Sequence, residues 1–315
     1  MSSLSRRSIL KAAATSVIVG SVATSSSARA EQFTAHFVGR QRGNIYAREY
    51  AGSGPAFVLM HGIPDNLHIY DLLIPHLVGA GRRVVAFDFL GYGASDKPAS
   101  GIYGFKQQID DLKAVVEALN LGKVIPVGHD ASGPAAINFA MEFPDHVASL
   151  CILNTFYHAT PGARLPELVE LFATPSLEAL ALSIGQNPEQ FAWLLQFQQS
   201  VFREALVERQ RERFSTFLAP IINGSFLQQP SSAPAFVQMA SQIIAEVTQN
   251  TARLSALEAM DLPVKLIWGK NDPYFDPKGV EDLRSHLKRS SLLMIEAGHW
   301  LQIDDPEQVA KGMLT

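Results

Sequence analysis

The stretch that most constrains this chain is residues 124–133. Val124–Val127 is a short apolar run, and it leads straight into Gly128-His129-Asp130-Ala131-Ser132-Gly133. Ala135–Glu142 then reads as a helix. An apolar run bounded by glycine is a buried strand in this setting. Small residues two positions either side of Asp130, with a second glycine beyond, allow a turn so tight that strand and helix backbones almost touch. Such a unit belongs in a sheet flanked by helices, and the rest of the chain supplies one. Phe57–Met60, Val84–Phe87, Ser149–Leu153, Val264–Trp268 and Leu292–Ile295 are continuously apolar, as parallel strands covered on both faces should be. Phe33–Val38 and Ile45–Glu49 read as a hairpin around Arg42-Gly43-Asn44. Phe105–Leu119 places Ile109, Leu112, Val115, Val116 and Leu119 on one face of a helix, and Val280–Leu287 is helical too. The sequence therefore predicts an α/β fold with a mostly parallel sheet.

One segment breaks the alternation. Residues 155–259 show helical periodicity punctuated by prolines and no convincing strand, which predicts a helical lid inserted between core segments 31–154 and 260–315. Within it Phe191–Phe217 reads as helix, with the charged run from Arg203 to Arg213 on a solvated face. Residues 1–30 stand apart: Ser5-Arg6-Arg7-Ser8-Ile9-Leu10-Lys11 is similar to a twin-arginine export signal, followed by an apolar run and Ala28-Arg29-Ala30. The apolar run is shorter than the roughly 20 residues a membrane span requires. The expectation is a cleaved signal peptide, a mature start at Glu31, no stable membrane span after processing, and a periplasmic or extracellular protein.

Charge narrows the partners. Of 26 basic residues, four (Arg6, Arg7, Lys11, Arg29) lie in that leader, leaving 22 against 30 acidic residues and a mature net charge of −8. Nothing there offsets phosphate repulsion, so nucleic acid is excluded as a partner. The single cysteine, Cys151, sits in an apolar run and reads as core. The nine histidines are scattered without ligand spacing, so neither metal nor organic cofactor is expected. No pattern bears on oligomeric state.

Chemistry concentrates at strand ends. Asp130 occupies the centre of the tight turn, where it could equally be a helix N-cap. Its neighbours favour a reactive role. His61-Gly62-Ile63-Pro64 follows a strand, Asp272 closes the turn after Val264–Trp268, and His299 follows Leu292–Ile295. Nucleophile, acid and histidine in that chain order, each after a strand, form a candidate triad. Ser132 is in the wrong register, with Asp130 and Pro134 where small residues are needed.

From about Phe57 to Lys311, outside the helical segment, the chain resembles the haloalkane dehalogenase and epoxide hydrolase branch of the α/β-hydrolases. His61-Gly62-Ile63-Pro64, Asp88-Phe89-Leu90-Gly91-Tyr92-Gly93-Ala94-Ser95-Asp96-Lys97-Pro98, Gly128-His129-Asp130 and Ala297-Gly298-His299-Trp300 carry the resemblance. Asn154, with the acid left to Asp272, resembles one dehalogenase subgroup. The resemblance implies an eight-stranded sheet with helices on both faces. It also implies an aspartate nucleophile at Asp130, an anion site formed by the Ile63 and Ala131 amides, and a water-activating His299 oriented by Asp272. A carboxylate is ionised at neutral pH and attacks an sp3 carbon without a base, giving an ester that His299 then helps water to cleave. The expected substrate is a small apolar electrophile.

The leaving group is less constrained. Where these relatives carry tryptophan after the nucleophile, this chain has Ala131, so a halide would need another donor; Trp193 is the only tryptophan of the lid. Epoxide opening would need an acid, for which Tyr157 and His158 stand at the lid entrance. His61 is a further candidate for substrate contact. Haloalkane dehalogenation leads, epoxide hydrolysis is the alternative, and a lid-covered binding protein on the same fold is the reading of another class.

Overall fold

The computed structural model describes residues 32–160 and 163–315. The export-signal reading and the Glu31 start fall on residues outside these. The strands are β1 (Thr34–Arg40), β2 (Gly43–Tyr50), β3 (Ser53–Met60), β4 (Arg82–Phe87), β5 (Ile125–His129), β6 (Leu150–Leu153), β7 (Val264–Gly269) and β8 (Ser290–Ile295). They form one sheet in the order β1-β2-β4-β3-β5-β6-β7-β8, parallel except where β2 runs against β1 and β4.

Continuous burial follows from coverage on both faces. The central strands β5 and β6 are buried almost throughout, as their apolar runs require. The expectation of a buried last strand needs correction. β8 has one neighbour and lies at the sheet edge, so its residues alternate and Leu293 is 38% exposed. Cys151 is fully packed in β6, as its setting predicted.

The helices of the first core segment are α1 (Ile74–Gly79), α2 (Phe105–Ala118) and α3 (Ser132–Glu142). α3 starts three residues earlier than composition suggested, because the tight turn feeds directly into it. Between β6 and β7 the described residues are helical or irregular, with α4 (Glu167–Ala173), α5 (Glu178–Gly185), α6 (Pro188–Glu204), α7 (Glu208–Arg213), α8 (Ala219–Leu227), α9 (Ala233–Ala252) and α10 (Leu254–Ala259). The single helix expected over 191–217 is broken after Glu204: Val207 takes an extended conformation (ψ 154°), and a π-helical turn spans Phe214–Leu218. The break lets Phe202, Leu206 and Phe214 face inward while Glu204, Glu208, Arg209 and Glu212 stay in solvent. After β7 come α11 (Pro277–Ser285), α12 (Leu301–Asp304) and α13 (Pro306–Leu314). No single helix among the described residues is long and apolar enough to cross a membrane.

Candidate active site

The turn after β5 is built as its glycines require. A Cβ on Gly128 would stand 2.9 Å from the Gly133 Cα and 3.0 Å from the Ala136 Cβ, and one on Gly133 would fall inside the Thr155 side chain. Asp130 itself sits at φ 51°, the left-handed region that costs a non-glycine residue on the order of 1–3 kcal/mol. Surrounding bonds hold it there. Its N–H donates to the Asn154 carbonyl (2.9 Å), and its carbonyl accepts from Gly133 N–H (3.0 Å) and from the Thr155 hydroxyl. The side chain is thereby lifted off the sheet, 13% exposed, toward the helical insert.

Two backbone amides hold the Asp130 carboxylate. Oδ2 accepts from the Ile63 N–H at 2.9 Å, and the Ala131 N–H also bonds the carboxylate. Oδ1 lies 3.7 Å from His299 Nε2, beyond hydrogen-bond range. Behind His299, Nδ1 is 2.7 Å from Asp272 Oδ2. Asp272 is itself fixed: Oδ2 accepts from Asn154 Nδ2 (2.7 Å), and Oδ1 from the Tyr274 and Phe275 N–H groups (2.9 and 3.1 Å). Asn154 Oδ1 accepts from Gly269 N–H at 2.8 Å, so one amide ties the ends of β6 and β7.

These contacts set the protonation states. Burial pushes Asp130 up and outweighs the pull of His299 and the Ile63 and Ala131 amides, leaving it above the ordinary carboxylate range. Burial pushes Asp272 the same way, but His299, with the hydrogen bonds from Asn154 and Tyr274, overcomes it, so Asp272 lies below its ordinary value. For His299 burial disfavours the charged ring, yet Asp272 with smaller help from Asp130 raises it above the usual histidine value.

The structure thus brings together Asp130, His299, Asp272, Ile63 and Ala131. Four other sequence-derived candidates lie elsewhere. His61 is fully buried, donating from Nδ1 to the Gly62 carbonyl (2.7 Å) while Nε2 accepts from Phe89 N–H (3.2 Å). It shapes the turn rather than facing substrate. Tyr157 is committed to Asn138 (3.0 Å), and His158 to Asp282 (2.6 Å). Trp193 is 66% exposed on the outer side of α6, stacked on Phe197, and supplies no donor to the site. Position along the chain points each of them toward the site, and side-chain direction takes it away. Ser132 is buried, its hydroxyl held between Met60, His129 and the His129 N–H.

Other supporting groups escaped notice in the sequence because only folding pairs them. Trp300 Nε1 donates to the fully buried Asp65 at 2.9 Å, joining the loop that carries His299 to the turn that carries Ile63. His129 Nε2 is 2.9 Å from the His299 carbonyl, and Asp304 accepts from Gly298 N–H at 2.8 Å.

Above Asp130 is a cavity of about 50 Å³ with walls that include Ile63, Leu195, Phe202, Ile222, Phe236 and His299. Its insert-borne amides are already used, Gln198 Nε2 on the Tyr274 hydroxyl (2.6 Å) and Gln199 Nε2 on Asn223 (2.9 Å). A larger chamber of about 350 Å³ does not reach Asp130 or His299 but shares Phe156, Leu165, Ile243 and Phe275 with the small cavity. Size alone would point to the larger space; the carboxylate and imidazole are in the smaller one.

Sheet order, strained turn and convergent side chains define a class, and residues 55–306 match the family model described as alpha/beta hydrolase fold. The chain belongs to that family. It is 26% identical over 302 residues to the bifunctional epoxide hydrolase 2 of Sus scrofa, covering 84% of this chain and 51% of the relative, so it spans about half that protein's length. It is 27% identical over 292 residues to haloalkane dehalogenase 2 of Mycobacterium tuberculosis, covering 90% of this chain and 94% of that one. The solved structure of a putative lipase from Acinetobacter baumannii matches with a TM-score of 0.68 at 19% identity, covering 90% of both chains, and shares the fold.

Proposed function

We propose that this hydrolase displaces a leaving group from an sp3 carbon of a small apolar substrate through an ester on Asp130, in the manner of a haloalkane dehalogenase. The observation that carries the reading is the Asp130 carboxylate, with Oδ2 held by the Ile63 amide and Oδ1 3.7 Å from His299 Nε2. Oδ1 forms the bond to carbon as the carbon–halogen bond breaks and halide departs with the electron pair. Water then adds to the Asp130 carboxyl carbon, giving up a proton to His299 Nε2, and the oxyanion is held by the Ile63 and Ala131 amides. Collapse expels the alkoxide, which takes the proton back from His299 and leaves as the alcohol, and the regenerated Asp130 carboxyl gives its proton to solvent, so R–X and water become R–OH and HX.

Halide is favoured over epoxide by the cavity wall. An epoxide oxygen must gain a proton as it leaves, whereas halide leaves as a stable anion. Among the described residues lining the small cavity there is no tyrosine; Tyr157 and Tyr274 line the larger chamber, and both hydroxyls have protein partners. The name of the mycobacterial relative agrees with this preference, and that of the porcine one keeps epoxide opening as the second reading.

The test uses a panel of short bromoalkanes and terminal epoxides with the wild type and His299→Gln. Halide release by the wild type is expected. The variant should accumulate a mass increment equal to the alkyl group, mapped to Asp130. Diol formation would transfer the assignment to epoxides, and a panel that yields neither product nor adduct would leave the lid-covered binding protein as the reading that stands.

A further inference from the structure

Away from Asp130 the fold assembles a second group of ligating side chains. His158 lies on the chain leaving β6, while Asp282 and His286 stand one turn apart at the C-terminal end of α11. One ligating atom from each lies within 4.8 Å of the others. His158 is 4% exposed; its Nε2 is 2.6 Å from Asp282 Oδ2, and its buried Nδ1 has no hydrogen-bond partner. His286 Nδ1 is 2.7 Å from Glu258 Oε1 of α10, which leaves Nε2 without a partner among the described residues. The two imidazoles meet edge to face, centroids 5.1 Å apart.

An ordinary ion pair would explain His158 with Asp282. It would not explain why a second imidazole, itself paired with Glu258, stands with a ligating atom within 4.8 Å of the same carboxylate. A divalent ion uses all three. The geometry points to a zinc site formed by His158, Asp282 and His286, with Glu258 orienting His286 from behind. Two imidazoles and a carboxylate are zinc ligands, and imidazole selects against calcium and magnesium. A carboxylate on the far nitrogen of a ligating histidine fixes its tautomer and ring direction, which is where Glu258 stands. The His158–Asp282 contact must open to about 3.3 Å across an ion with bonds of about 2.0 Å. Asp282 is 43% exposed, so solvent reaches it and water can supply the fourth ligand. None of these side chains lines the cavity at Asp130. The ion would therefore be structural, tying the entrance of the helical insert to α11 and α10.

The experiment takes the full chain without a histidine tag, strips it with a chelator, and titrates Zn2+ against a competing chromophoric chelator. One ion per chain is expected with a Kd below about 10 µM. His286→Ala and Asp282→Asn should each weaken binding at least about tenfold, and Glu258→Gln about tenfold. Zinc should raise Tm in the wild type and in neither ligand variant. Asp282 and His286 are half-buried and Glu258 is exposed, so the folds should hold; should the circular dichroism of a ligand variant change, Glu258→Gln carries the comparison. Binding no tighter than about 100 µM, or binding unchanged in the variants, overturns the site.

Discussion

Asp65 offers a test of the site's electrostatics that needs no substrate. It is fully buried, accepts one hydrogen bond from Trp300 Nε1, and leaves Oδ1 without a partner. Burial, with a smaller push from Asp130, lifts its carboxyl from an ordinary 3.8 to about 7, against the pull of Trp300 and His299. Between these values the folded chain holds a proton that the unfolded chain has lost. Stability therefore falls as pH rises through that window, by about 1.4 kcal/mol per pH unit at the limiting slope. From 3.8 to about 7 the loss amounts to about 4 kcal/mol. Asp65→Asn keeps an acceptor for Trp300 and removes the charge, at a pH-independent cost of about 1–3 kcal/mol for an added buried donor. The variant should be the less stable protein at pH 4.5 and the more stable one at pH 8.5. Asp111 and Asp304 are also raised to about 7, but they are common to both proteins and cancel in the difference. Urea denaturation across the range measures it. A difference between variant and wild type that stays flat with pH would refute the buried-charge reasoning.

Further outcomes are expected around the same residues. Gly62→Ala would put a Cβ 2.5 Å from both the Asp130 Cβ and Oδ2. The carboxylate must retreat by about 1 Å, and ester formation in the His299→Gln background should slow about 100-fold with unchanged circular dichroism. Asn154→Ala strands the Asp272 carboxylate and the Gly269 N–H, and should cost about 2–4 kcal/mol in urea melts. Because Asp272 is held below its ordinary value, chiefly by His299, its contribution is present above the unfolded pKa and lost as pH falls through the folded one; the variant, without the Asn154 hydrogen bond, should show a weaker acid-side dependence. Trp193→Ala, on an exposed face, should leave halide release within about twofold of wild type by product assay. An export role for residues 1–30 predicts that Arg6→Lys with Arg7→Lys keeps the protein inside the cell and that N-terminal sequencing of protein recovered outside it begins at Glu31.

Much of the fold was legible because its instructions are local. A continuously apolar run names a covered strand, and glycine at 128 and 133 is demanded by atoms at most a few residues or one strand away. His61-Gly62-Ile63-Pro64 and Asp130 likewise carry their meaning in short stretches: the Ile63 amide reaches Asp130 because adjacent parallel strands β3 and β5 end side by side. Chain order placed Asp272 and His299 at neighbouring strand ends for the same reason. The edge position of β8 and the break after Glu204 were not legible, since both depend on what packs against them.

The sequence by itself determined the sheet, the strained turn, and the residues fixed to strand ends, because β-strand register transmits position over long chain separations. Only the tertiary structure decided which side chains of the insert face that turn. A helix can rotate about its axis, and an irregular connection can turn its side chains either way, without any change of composition, so Trp193 turned outward, Tyr157 found Asn138, and His158 met Asp282 and His286. The same holds for Asp65 and Trp300, 235 residues apart, whose hydrogen bond exists only because folding closes a buried space around them.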